Sequence, residues 1–106
     1  MISNPGCDPV AVTLRVIGGK WKPLILWVLR EHTLRFGEIK KQITGITQKM
    51  LTQQLRELEA AGIISRQVYP EVPPRVEYSI TSYGKTLQPV LQSMCTWGEH
   101  HKTRIK

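Results

Sequence analysis

Residues 46–62 read Ile46-Thr47-Gln48-Lys49-Met50-Leu51-Thr52-Gln53-Gln54-Leu55-Arg56-Glu57-Leu58-Glu59-Ala60-Ala61-Gly62. Thr47 is a good N-cap, because its hydroxyl can accept a hydrogen bond from a free first-turn N–H. Ile46 before it and Leu51 four positions after it fit a hydrophobic staple. Leu51, Leu55 and Leu58 recur at helical spacing and make one apolar stripe, and Gly62 ends the helix. The other side carries Gln48, Lys49, Thr52, Gln53 and Arg56, with no acid until Glu57. These side-chain types hydrogen-bond base edges and phosphates in a DNA major groove. A helix face that is merely solvated more commonly alternates Glu with Lys.

Just upstream, Phe36, Ile39 and Ile43 suggest a short helix facing inward. Thr44-Gly45-Ile46 is a tight turn, so 36–43 and 47–61 form a helix-turn-helix pattern. Further upstream, Asp8-Pro9 starts a helix with apolar Val10, Leu14 and Ile17, ended by Gly18-Gly19. A second helix runs from about Trp21 to Glu31, with Pro23 tolerated in its first turn. It is apolar nearly all round, which predicts the central buried helix. Residues 32–35 read as a short connection.

Downstream the period changes. Residues 63–69 are β-branched and aromatic in part, and Val76, Tyr78 and Ile80 alternate with Arg75, Glu77 and Ser79. Between them Pro70-Glu71-Val72-Pro73-Pro74 is a stiff loop that resists joining a sheet ladder. A two-stranded hairpin after the recognition helix is a wing. Thr81 is expected to cap a last helix carrying Tyr83, Leu87, Leu91, Met94 and Trp97, kinked at Pro89. The fold class is therefore α+β, mainly helical: one winged helix-turn-helix domain over 1–106. Its helix-turn-helix lies at about 36–61, its wing at about 63–81 and its C-terminal helix at about 82–101.

The charge supports the same reading. The 106 residues carry a net +7. Residues 19–56 hold eight cations against two acids, while 57–106 hold six against five and 1–18 one against one. The excess sits around the candidate recognition helix, as a phosphate-binding face requires. No apolar stretch reaches membrane-spanning length, and Met1 to Cys7 lack the basic-then-apolar order of a secretion signal. Two cysteines, Cys7 and Cys95, make no disulfide framework, so a cytoplasmic protein with reduced thiols is expected. No nucleophile elbow, phosphate-binding glycine loop or paired-acid motif is present, so neither enzyme activity nor a cofactor is expected. His100-His101 point about 100° apart on a helix, a poor arrangement for one metal ion.

The chain resembles the HxlR-type winged helix-turn-helix regulators of bacteria. The likeness rests on Ile17-Gly18-Gly19-Lys20-Trp21, Arg35-Phe36-Gly37-Glu38-Ile39, Ile46-Thr47-Gln48-Lys49-Met50-Leu51 and Leu55-Arg56-Glu57-Leu58-Glu59. It continues through Pro73-Pro74-Arg75-Val76-Glu77-Tyr78 and from Thr81 to Gly84, covering Cys7 to about Trp97. The resemblance implies a homodimeric, cytosolic, DNA-binding regulator. Many members carry a cysteine just before the first helix, where Cys7 stands, and in some that thiol senses oxidants or electrophiles.

On this reading Gln48, Thr52 and Gln53 reach base edges, and Lys49 and Arg56 reach phosphate or guanine. Arg35 and Lys41 are candidate phosphate clamps. Arg75 either enters the minor groove from the wing or pairs with a nearby acid such as Glu77. For Cys7 the helix N-terminus favours the thiolate and the adjacent Asp8 opposes it. Cys95 is expected to be a partly buried packing thiol. Its approach to Cys7 of a second chain requires close Cα atoms. Leu14, Leu87, Leu91, Met94 and Trp97 are candidate dimer contacts. The expectation is a sequence-specific regulator of double-stranded DNA, a repressor on a pseudo-palindromic operator, responding through Cys7 to an oxidant or another small effector. The alternative is a winged-helix module for protein–protein contact.

Overall fold

The structure, a computed structural model, describes residues 8–105. Cys7, the expected sensing thiol, lies outside them. The elements run α1 (Asp8–Ile17), α2 (Trp21–Leu29), β1 (Leu34–Arg35), α3 (Phe36–Gln42), α4 (Gln48–Ala60), β2 (Ile64–Tyr69) and β3 (Arg75–Ile80). A 3-10 turn (Gly84–Leu87) then leads into α5 (Gln88–Arg104).

The core forms where the apolar stripes meet. Ile25, Leu26 and Leu29 of α2 pack with Ile39 of α3, Leu51, Leu55 and Leu58 of α4, Ile63 and Ile64 at the head of the wing, and Leu91 of α5. α2 is the central helix, touching α3, α4 and β3. Of its residues only Leu24 is exposed; Trp21, Pro23, Trp27 and Val28 are half-buried. It ends at Leu29, two residues before the expected Glu31.

Both ends of α4 are built from local sequence. Thr47 caps the start, its hydroxyl accepting from the Met50 N–H at 3.1 Å. Ile46 and Leu51, the staple pair, are both buried in the core. At the far end the Gly62 N–H donates to Glu59 O and the Ile63 N–H to Leu58 O. Those two bonds satisfy the last carbonyls and need a left-handed residue, which Gly62 supplies at φ 78°. Gly45, at φ 89°, does the same for the turn between α3 and α4.

The sheet differs from the expected two-stranded hairpin. It has three antiparallel strands in the order β1-β3-β2, with Leu34 opposite Tyr78 and Arg35 opposite Glu77. The supposed connection at 32–35 therefore contains an edge strand. Two residues are too short to show any periodicity, and only the partner strand defines them. The β2–β3 register, from Ile64 opposite Ile80 to Tyr69 opposite Arg75, is an uninterrupted hairpin.

The C-terminal helix also differs. Pro89 falls in the first turn of α5, where a missing N–H breaks no helical bond, so it starts the helix instead of kinking one. Thr81 anchors the base of the wing. Its hydroxyl donates to Gly62 O at 2.7 Å and accepts from the Gly84 N–H at 2.9 Å. Leu91 is only 4% exposed within a single chain, and Leu87 packs against the same core. Leu91 thus belongs to the protomer's own interior, which corrects its expected place on a free dimer face, while Leu87 is half-buried. Leu14, Met94 and Trp97 do project outward, Trp97 being 67% exposed and stacked on His101.

Candidate nucleic-acid interface

Burying Leu51, Leu55 and Leu58 turns the opposite side of α4 outward. Gln48, Lys49, Gln53 and Arg56 are exposed and Thr52 is half-buried. All five line one open depression together with Glu57. The residues singled out on this helix therefore do converge.

Their chemistry is more structured than a list of polar residues suggests. Thr52 Oγ1 donates to Gln48 O at 2.8 Å, so its hydroxyl hydrogen is already used and its lone pairs remain to accept. Gln53 Nε2 donates to Glu57 Oε2 at 3.3 Å. The other carboxylate oxygen of Glu57 is ion-paired with Lys22 Nζ of α2, a side chain only 13% exposed. The hydrogen bond from Lys22 and, next, that from Gln53 hold the Glu57 carboxyl below its usual value of 4.5. It is thus fully ionised at neutral pH. Among the described residues, Lys49 and Arg56 have no carboxylate within 4.0 Å. They are the uncompensated cations of this face.

Lys22 and Glu57 were not among the expected site residues. A lone lysine inside an apolar helix was the available signal, but its partner lies 35 positions away. Arg66 was also missed. Its Nε lies 3.6 Å from Glu59 Oε1, and it lines a depression beside α4 with Thr52, Arg56 and Tyr78. Burial, the largest influence there, pushes the Tyr78 hydroxyl above its usual value, so it stays protonated and neutral at neutral pH.

Arg35 and Lys41 are exposed at the two ends of α3. The Arg35 backbone N–H is bound by Glu38 Oε1 at 2.8 Å, which leaves its guanidinium outside the cap. Arg75 is placed differently from a free groove-reading side chain. It lies over the Tyr69 ring at 4.0 Å, with Glu71 at 3.3 Å and Glu77 at 3.5 Å. Its Nε is buried without a well-aligned hydrogen-bond partner. Two carboxylates and a ring hold this guanidinium, which is the acid-paired arrangement the sequence offered as the alternative. Cys95 is half-buried, as its helical position suggested, and forms no disulfide among the described residues.

Among the described residues no helix is long and apolar enough to cross a membrane. A helix-turn-helix pair, an outward cationic second helix and a three-stranded wing define a winged helix-turn-helix protein. The chain belongs to the HxlR family, whose HxlR-like helix-turn-helix pattern matches residues 16–106. It is 55% identical over 100 residues to the HTH-type transcriptional regulator YdeP of Bacillus subtilis (strain 168), covering 94% of this chain and 77% of that one. Among solved structures, the redox regulator HypR in its reduced form superposes with a TM-score of 0.88 at 49% identity, over 92% of this chain and 97% of that one. The oxidised form of HypR gives 0.84 at 52% identity, over 87% and 95%. The chain is a helix-turn-helix transcriptional regulator.

Proposed function

We propose that this regulator is a cytoplasmic repressor that binds a specific double-stranded operator as a homodimer, inserting α4 into the major groove. The observation that carries the reading is the outward face of α4, where two uncompensated cations, Lys49 and Arg56, flank amide and hydroxyl side chains. Cations neutralise phosphates and amides discriminate base edges, which together make a sequence reader. Arg35 and Lys41 add phosphate contacts from α3.

Leu14 of α1 and Met94 and Trp97 of α5 give the second copy its apolar contact, since all three are exposed in the single chain. A two-fold dimer presents two copies of α4 and so calls for a pseudo-palindromic operator. The signal is an oxidant or electrophile acting at Cys7, a reading supported by the likeness to a protein described as a redox regulator. Modification there changes the spacing of the two α4 helices and with it the register on DNA.

Fluorescence anisotropy of reduced protein with the duplex upstream of its own gene, beside a scrambled duplex, tests the DNA reading. Preference for the upstream duplex that weakens as salt rises supports it. Equal, weak binding to both counts against it. Oxidant should change the affinity of the wild type and leave Cys7→Ser unaffected; an identical response in both removes the thiol role.

A further inference from the structure

We infer that Gln53 reads an adenine in each operator half-site, and that Glu57, held by Lys22, sets the Gln53 amide for that task. This rests on the DNA-binding reading above and deepens it. An amide side chain can turn either its NH2 or its carbonyl toward a neighbour, and which one it turns is decided by that neighbour. Here the neighbour is a carboxylate. Glu57 Oε2 attracts the Gln53 NH2, at 3.3 Å, and repels the Gln53 carbonyl. Lys22 grips the other oxygen of Glu57 from α2, so the carboxylate is fixed in place as well as charged.

One flip of the amide follows. One N–H of Gln53 is turned to Glu57, and the carbonyl oxygen and the second N–H are left for DNA. In the major groove adenine offers the N7 acceptor and the N6 amino donor, which match that pair. Guanine presents two acceptors, so its O6 opposes the Gln53 carbonyl. Cytosine offers only its amino group and thymine a carbonyl beside a methyl group. Adenine alone is met by both remaining groups.

The position suits the role. Lys49 lies four residues before Gln53 and Arg56 three after it, so the reader stands between two phosphate-seeking cations on one helix face. Lys22 does a second job. Without it, Glu57 would put an unbalanced negative charge against the phosphates.

Selection of duplexes from a random pool, followed by sequencing and affinity measurements on the enriched site, tests the inference. The wild type should enrich half-sites with an adenine favoured about tenfold or more over the other bases. That preference should vanish in Gln53→Ala and fall severalfold in Glu57→Ala. It should largely survive in Glu57→Gln, which keeps an accepting carbonyl. Glu57→Ala also removes a negative charge from the DNA face, so its affinity for random duplex should hold or rise. A merely scaffolding role for Glu57 predicts the opposite, a fall in specific and random binding together. Thermal melting of each variant establishes that it is folded. The inference is overturned by a Gln53-dependent position that is not adenine, by no position depending on Gln53, or by Glu57→Ala keeping full adenine preference. Failure of the wild type to enrich any sequence overturns the DNA-binding reading itself, and this inference with it.

Discussion

Two regions of the molecule carry arginines in positions from which DNA could be touched, and they treat them differently. On α4, Arg56 stands exposed with no carboxylate in reach among the described residues. At the wing, Arg75 is clasped by Glu71, Glu77 and the Tyr69 ring. The same side chain thus serves as an available charge in one place and as a stitch across the hairpin in the other. Position along the sequence does not by itself separate the two arginines. What decides is whether an acid has already taken the charge.

The two regions stand on one floor, and removing it produces the largest effect. Leu51 is fully buried beneath α4. Leu51→Ala should lower stability by about 2–5 kcal/mol, read as a drop in the denaturant midpoint. A loss under 1 kcal/mol would mean that α4 is not supported as described. Next is the close packing at the base of the wing. A Cβ on Gly84 would sit 2.1 Å from Ile63 O and 2.8 Å from Ile80 Cγ2. Gly84→Ala should lower stability by about 1–3 kcal/mol, with hydrogen exchange quickening first at Ile64–Tyr69 and later in α4. Equal quickening in both would contradict a wing anchored separately at its base.

Smaller effects separate the two regions more finely. Arg75→Ala removes a cation–π contact and two partly exposed ion pairs, together worth about 1 kcal/mol. The Tyr69 ring resonances should shift while those of α4 stay put. Glu57 offers a pH handle on the helix. Its folded value lies below 4.5, so the ion pair contributes above the unfolded value and is lost as pH falls through the lower folded one. Carboxyl carbon NMR should place its midpoint below 4.5, and Lys22→Met should move that midpoint upward. An unmoved midpoint would show that Lys22 is not its main partner.

Much of this was legible in the chain. Thr47, Gly62 and the leucine stripe predicted α4 because caps and periodicity are local signals. The outward face followed, since a stripe turned inward leaves only one side for Gln48, Lys49, Thr52, Gln53 and Arg56. Most of the misses were non-local. Leu34–Arg35 is a strand only because Tyr78 and Glu77 lie beside it. Lys22 joins the site only because α2 crosses behind α4. Leu91 looked free for a partner because helical spacing shows which side is apolar, not whether that side is already covered. Pro89 looks like a kink in the sequence because nothing upstream of it marks the true start of α5 at Gln88.

On the proposed reading α4, and not Arg75 of the wing, supplies the charge that meets DNA. Its most direct test is the dependence of affinity on salt for one duplex, compared across three proteins. Each cation lost from a phosphate contact reduces the slope of log affinity against log salt by about one. The Lys49→Ala, Arg56→Ala double variant should flatten the wild-type slope by about two, and Arg75→Ala should leave it unchanged. A slope flattened by Arg75→Ala and untouched by the double variant would contradict the claim.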